Sequence, residues 1–120
     1  MNALTIDCAV SKISVAARKD ANLAKITLDI GTKQSEKLLT AANYVMNELS
    51  LKPEMLDYTA CTSGPGSFTG LRLGMSALKA LTLSGGTPLY GIPSLHAYAY
   101  PFRDERCMVI SVIKSKEDVY

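Results

Sequence analysis

The segment DYTACTSGPGSFTGLRLGMSALKALTL (57–83) constrains the fold of this chain most, because an apolar strand, a glycine–proline–glycine turn and a helix follow one another without a linker. A strand that feeds a helix through so short a turn must lay that helix back across its own sheet. Gly64 and Gly66 permit backbone angles closed to other residues, Pro65 fixes its own φ, and Ser67 is placed to cap the helix N-terminus.

The turn matches none of three well-defined signatures. A P-loop needs Lys-Ser or Lys-Thr after its glycines, a dinucleotide loop needs GxGxxG, and a nucleophile elbow needs GxSxG. Here the glycines stand at 64, 66 and 70, and the serine directly follows Gly66. A tight strand-to-helix turn is the favoured reading. The alternative is that the amides of Gly64, Gly66 and Ser67, aided by the helix dipole, hold a phosphate or carboxylate.

The helix expected over 67–83 is apolar around most of its circumference. Gly70, Gly74 and Ala77 stack on one flank and leave it bare, Leu71, Met75 and Leu78 form an adjacent ridge, and only Arg72, Ser76 and Lys79 make a polar strip. Interior glycine costs about 1 kcal/mol against alanine, so something is expected to pack on that flank. Its smoothness suits another helix, either the first helix of the same chain or one from a partner; the alternative, of equal weight, is that the flank is filled entirely within the chain.

Around this unit the periodicity changes in a definite order. Segments 2–9, 12–19 and 23–30 read as three consecutive antiparallel strands, with Asp20-Ala21-Asn22 as a turn and Gly31 breaking the third. From 34 to 49, Leu38, Ala42, Val45 and Leu49 recur at helical spacing, and Leu39 and Met46 widen the stripe. Pro53 closes that helix, and EMLD (54–57) predicts a single turn. Further strands are expected at 57–63, 88–92 and 106–114, with a short helix over 94–100. Hairpins first and crossovers second predict an α/β fold: a mixed sheet starting with three antiparallel strands, with helices packed on it.

At 120 residues the chain is sized for one domain with a real core. Its 13 Lys and Arg are scattered among 11 Asp and Glu, which leaves no basic stripe for nucleic acid. With no long apolar run and no leader, no membrane contact and a cytoplasmic location are expected. The single histidine, His96, disfavours most metal and Ser/His/Asp schemes. Cys8, Cys61 and Cys107 lack ligand spacing and each falls in an expected strand, so reduced, buried thiols are predicted. KSKED (114–118) reads as a turn, and Val119-Tyr120 as the start of a returning strand. On that basis residues 1–120 are expected to be a single N-terminal lobe, with a C-terminal lobe absent.

SGPGSFTGLRLG (63–74) is similar to the signature of the TsaB family, also called YeaZ, and other segments fall into register with it. LTIDCA (4–9) resembles the family's opening strand with its acid at Asp7. SVA (14–16), SEKLL (35–39), PLYGIPSLHAYA (88–99) and DVY (118–120) also match, so the likeness runs the length of the chain but covers only the family's first lobe. The chain departs from the family at Gln34, where histidine is usual, and at Ile113-Lys114-Ser115, where Asp-Ala-Arg is favoured.

The resemblance implies an actin-like, RNase H-like ATPase lobe. It further implies a noncatalytic scaffold that works with TsaD and TsaE to make the threonylcarbamoyladenosine modification of tRNA, touching tRNA only indirectly. The family's two lobe-one helices pair with those of TsaD, or of a second copy as a homodimer. Carried onto this sequence, that interface is Leu38, Leu39, Ala42, Val45 and Met46 with Gly70, Leu71, Gly74, Met75, Ala77 and Leu78. No catalytic residue, metal or cofactor is expected in this lobe, ATP or ADP entering only in complex with partners. The glycoprotease label attached to such proteins finds no support in a chain with one histidine. The alternative is an actin-like ATPase or sugar-kinase relative using Asp7 and the Gly64–Ser67 loop on a nucleotide. DCAVSKISV (7–15) lacks the glycine expected of a phosphate-binding hairpin, so Asp7 is read as a structural remnant.

Overall fold

A computed structural model describes residues 1–29, 34–115 and 120, together with the backbone but not the side chains of Gln34 and Ser35. The Gly31 break, the Gln34 departure and most of the KSKED–DVY segment therefore lie outside the described residues.

Three strands open the chain. β1 (Asn2–Asp7) pairs antiparallel with β2 (Ile13–Lys19), which pairs antiparallel with β3 (Asn22–Leu28). The β2–β3 hairpin turns on Asp20, whose φ of 54° is the left-handed value that aspartate tolerates better than most residues. Helix α1 (Gln34–Glu48) and a 3-10 turn at Pro53–Met55 lead to β4 (Tyr58–Gly64), which lies parallel to β1. Helix α2 (Phe68–Thr82) crosses over to β5 (Leu89–Pro93), parallel to β4, and helix α3 (Ser94–Ala99) follows at once. The five-stranded sheet has the order β3-β2-β1-β4-β5, the mixed arrangement expected from hairpins followed by crossovers.

Strand alternation sorts the two faces. Leu4, Ile6, Ile13, Val15 and Ala17 point to one side and are almost fully buried. There α1 packs across β2 and β3, and α2 across β4 and β1. Leu38, Ala42, Val45 and Met46 close the core from α1, and Ala77 and Leu78 from α2. The second face carries Thr5, Asp7, Ser14, Ala16, Ala60 and Thr62, and α3 sits against its β4–β5 side. These smaller, more polar residues suit a face that is only partly covered.

Two expectations fail together. Residues 106–114 do not form a sixth strand: no backbone–backbone hydrogen bond between described residues involves 106–115. Cys107 is consequently exposed rather than buried, while Cys8 and Cys61 are buried as free thiols. Apolar, β-branched residues favour a strand only where an edge receives them.

Candidate functional site

The end of β1 holds an acidic side chain, Asp7, that the fold gathers into a cluster of hydrogen bonds. Asp7 Oδ1 accepts from the backbone N–H of Ala9 at 3.0 Å, from Thr62 Oγ1 of β4 at 2.9 Å, and from the Tyr98 hydroxyl of α3 at 3.2 Å. The same hydroxyl lies 2.9 Å from Oδ2. The carboxylate thus joins β1, its following turn, β4 and α3. Burial, followed by the Asp7 charge and hydrogen bond and by Cys8, pushes the Tyr98 phenol well above its usual range. Burial likewise lifts the Cys8 thiol to about 12, with Asp7 and Cys61 adding to the effect, and raises Cys61 against the smaller opposing pull of Lys79.

A carboxylate with three donors on one oxygen and a phenol across the other is poorly disposed to ligate a cation. Among the described residues no group of three His, Cys, Asp or Glu could hold a metal ion. The residues present do not fit the metal that an actin-like ATPase site would need, and no chemical step is derived through one.

The glycine turn is fastened to its own molecule. Gly64, at φ 117°, donates its N–H to Ser94 Oγ at 3.2 Å. Ser67 donates its N–H to the Ala9 carbonyl at 2.7 Å, and its hydroxyl accepts from the Gly70 N–H at 3.2 Å, the N-cap expected from sequence. Gly66 touches Ala9, so that a Cβ built there would lie 2.8 Å from the Ala9 Cβ. Two of the three amides considered for an anion, those of Gly64 and Ser67, are thereby spent on the chain itself, as a strand-to-helix turn requires.

Ala9, Val10, Ser11, Pro65, Gly66, Ser67 and Gly70 line an open cleft beside this turn, faced by 112–115, and Tyr98 separates it from a second cleft over the open sheet face.

The bare flank of α2 is filled within the chain, the second of the readings raised above, though by the end of a strand rather than by a helix. Gly70 lies so close to β1 that a Cβ would run into the Cys8 carbonyl oxygen, and at Gly74 it would come within 3.2 Å of Ile6 Cγ2. The end of β1, not a helix, occupies the flank, because the absent side chains let α2 settle onto the sheet. Eight of the eleven residues assigned to a helical interface (Leu38, Ala42, Val45, Met46, Gly70, Gly74, Ala77 and Leu78) are buried within the lobe. Leu39, at 48% exposure, reaches the surface, and Leu71 and Met75 are half-buried. Phe68, 72% exposed with the Arg72 guanidinium 5.1 Å from its ring centroid, was not expected there. Tyr98 and Thr62 were also missed, since nothing local marks two hydroxyls as partners of an acid at the other end of the chain.

The model of the family described as "TsaD: tRNA N6-adenosine threonylcarbamoyltransferase" matches residues 30–112. The chain is 29% identical over 96 residues to the tRNA threonylcarbamoyladenosine biosynthesis protein TsaB of Buchnera aphidicola subsp. Schizaphis graminum, covering 80% of this chain and 46% of that protein. It is 28% identical over 100 residues to the Bacillus subtilis protein of the same name, covering 82% and 44% respectively. The chain therefore spans about half the length of these curated relatives. Among solved structures, YeaZ from Pseudomonas aeruginosa superposes with a TM-score of 0.80 at 22% identity, over 88% of this chain and 49% of that one. The fold is thus of the RNase H-like, actin-like ATPase class, as the family resemblance implied.

Proposed function

This chain belongs to the TsaD family, and from that premise we propose that it is an actin-like lobe of TsaB type, a noncatalytic partner of TsaD in threonylcarbamoyladenosine modification of tRNA. The observation that carries this reading is the saturation of Asp7 by Ala9, Thr62 and Tyr98. A first-strand acid so engaged serves the architecture, and the family's transfer chemistry then falls to the partner. Membership in a family described as a transferase does not by itself give this lobe a reaction; the broad matches to TsaB proteins support the subsidiary role.

The docking surface we assign to TsaD is the solvent side of α1 and α2, with Leu39, Phe68, Leu71 and Met75 as its apolar contacts and the buried members of both helices as its support. TsaE and tRNA are reached through TsaD. Exposed apolar side chains on a rigid helix pair are the usual anchors of such an interface. The test is titration of the chain into purified TsaD, followed by calorimetry. Binding that is weakened about tenfold or more by Leu39→Glu and by Phe68→Glu supports the reading. No binding, or binding indifferent to both substitutions, overturns it. Hydrolysis of ATP by this chain alone, lost in Asp7→Ala, would overturn its noncatalytic part.

A further inference from the structure

No Asp or Glu stands between Asp57 and Asp104, so the stretch that forms β4, α2, β5 and α3 carries cations and no acid. Two of those cations, Arg72 and Lys79, are exposed on α2, and among the described residues neither belongs to an ion pair. The Arg72 guanidinium instead lies 5.1 Å from the ring centroid of Phe68.

Their spacing gives this charge a direction. Phe68, Arg72, Met75 and Lys79 follow one another at intervals of four, three and four residues, which sets them along one side of the helix. Phe68 and Met75 are seven residues apart, and so are Arg72 and Lys79. An apolar pair and a charged pair that both repeat every seven residues suit a second helix laid lengthwise. The apolar pair packs against it, and the flanking charges choose it. The two cations stand about 10 Å apart along the helix axis.

The same spacing turns a second copy of this chain away. Its α2 would set Arg72 and Lys79 against their own kind. Its α1 has only Glu36 and Glu48 as acids, twelve residues or about 18 Å apart, with Lys37 beside the first. Neither helix matches the cation pair.

We infer that the helix received by α2 comes from a different protein and carries two carboxylates seven residues apart, which meet Arg72 and Lys79 while its apolar side chains cover Phe68 and Met75. This rests on the TsaD docking proposed above and gives that partner its chemistry. Exposed ion pairs add little adhesion but penalise a mismatched partner, so the apolar contacts hold the helix and the cations select it and fix its register.

The test is calorimetric titration into purified TsaD at about 50 and 500 mM salt, where screening differs several-fold in range. The variants are Arg72→Gln with Lys79→Gln, Arg72→Glu with Lys79→Glu, and Arg72→Lys alone. Both positions are exposed, so none of them threatens the core. The natural chain should bind less tightly as salt rises. The glutamine pair should bind about threefold to tenfold more weakly and respond little to salt, the glutamate pair weaker again by about tenfold, and Arg72→Lys close to the natural chain. Binding that responds to Leu39→Glu and Phe68→Glu, but neither to salt nor to the charge variants, overturns the paired-carboxylate assignment and leaves the docking intact. No binding in any form removes the docking and this assignment together. Sedimentation of the chain alone supplies the remaining arm: a dimer of the natural chain that dissociates in the glutamate pair would make a second copy the occupant and overturn the assignment.

Discussion

The Tyr98 hydroxyl meets the Asp7 carboxylate at 2.9 Å from a position 91 residues away in sequence, tying α3 to the end of β1. Hydrogen bonds to charged groups are among the stronger ones. Tyr98→Phe should lower unfolding free energy by about 1 to 2 kcal/mol, and Asp7→Ala by about 3 kcal/mol, since the latter also strands Thr62 and the Ala9 N–H. Urea denaturation decides the matter. An Asp7→Ala protein as stable as the parent would show that the cluster holds nothing together.

Alkaline pH should weaken the fold through the same contact. Tyr98 is raised above its free value, so its stabilising contribution is complete below the unfolded tyrosine pKa of about 10 and is lost as pH climbs through the higher folded value. Cys8, lifted from 9.0 to about 12, contributes a loss of the same sign that begins nearer pH 9. Thermal melts of the natural chain and Tyr98→Phe from neutral pH upwards should converge above pH 10 as the tyrosine contribution disappears. Parallel curves would remove Tyr98 from the account.

Glycine-to-alanine exchange in a helix ordinarily stabilises by close to 1 kcal/mol. At Gly70 the sign should reverse, because the new methyl group would enter the Cys8 carbonyl oxygen, which is backbone and cannot swing aside. Gly74→Ala meets Ile6 Cγ2 at 3.2 Å, a side-chain contact that can give by a few tenths of an ångström. Gly70→Ala is therefore expected to cost about 3 kcal/mol, at the upper end of overpacking penalties, and Gly74→Ala about 1. Equal midpoints for the two variants in chemical denaturation would contradict the close seating of α2 on β1.

Two serines flank the glycine turn with unequal duties. Ser67 caps α2 from an exposed position, and its loss to alanine should cost about 1 kcal/mol. Ser94 is fully buried and accepts the Gly64 N–H, so Ser94→Ala leaves a shielded donor unpaired at about 2 kcal/mol. Unfolding midpoints should rank natural chain, Ser67→Ala, Ser94→Ala in falling order.

Much of the architecture was legible because local signals agreed with one another. The helix expected over 34–49 is observed as Gln34–Glu48, the one over 67–83 as Phe68–Thr82, and Ser67 caps as its hydroxyl suggested. The strands expected over 2–9, 12–19 and 23–30 are observed as Asn2–Asp7, Ile13–Lys19 and Asn22–Leu28. The errors arose where distance in sequence hides a partner. Gly70 and Gly74 announced close packing, but periodicity alone could not say whether a helix or the end of a strand would fill the space. Residues 106–114 have strand composition, yet strand identity is conferred by a neighbour, which composition does not supply. Asp7 stood out as an acid on a first strand, while Thr62 and Tyr98, which decide its chemistry, carried no mark at all.

Ser94 opens α3 while its hydroxyl holds the amide of Gly64, where β4 gives way to the turn before α2. The two crossovers of the sheet are consequently moored at a single bollard. A disturbance of β5 would tug at the entrance of α2, and through Tyr98 at the tip of β1, without any of these segments changing its own conformation.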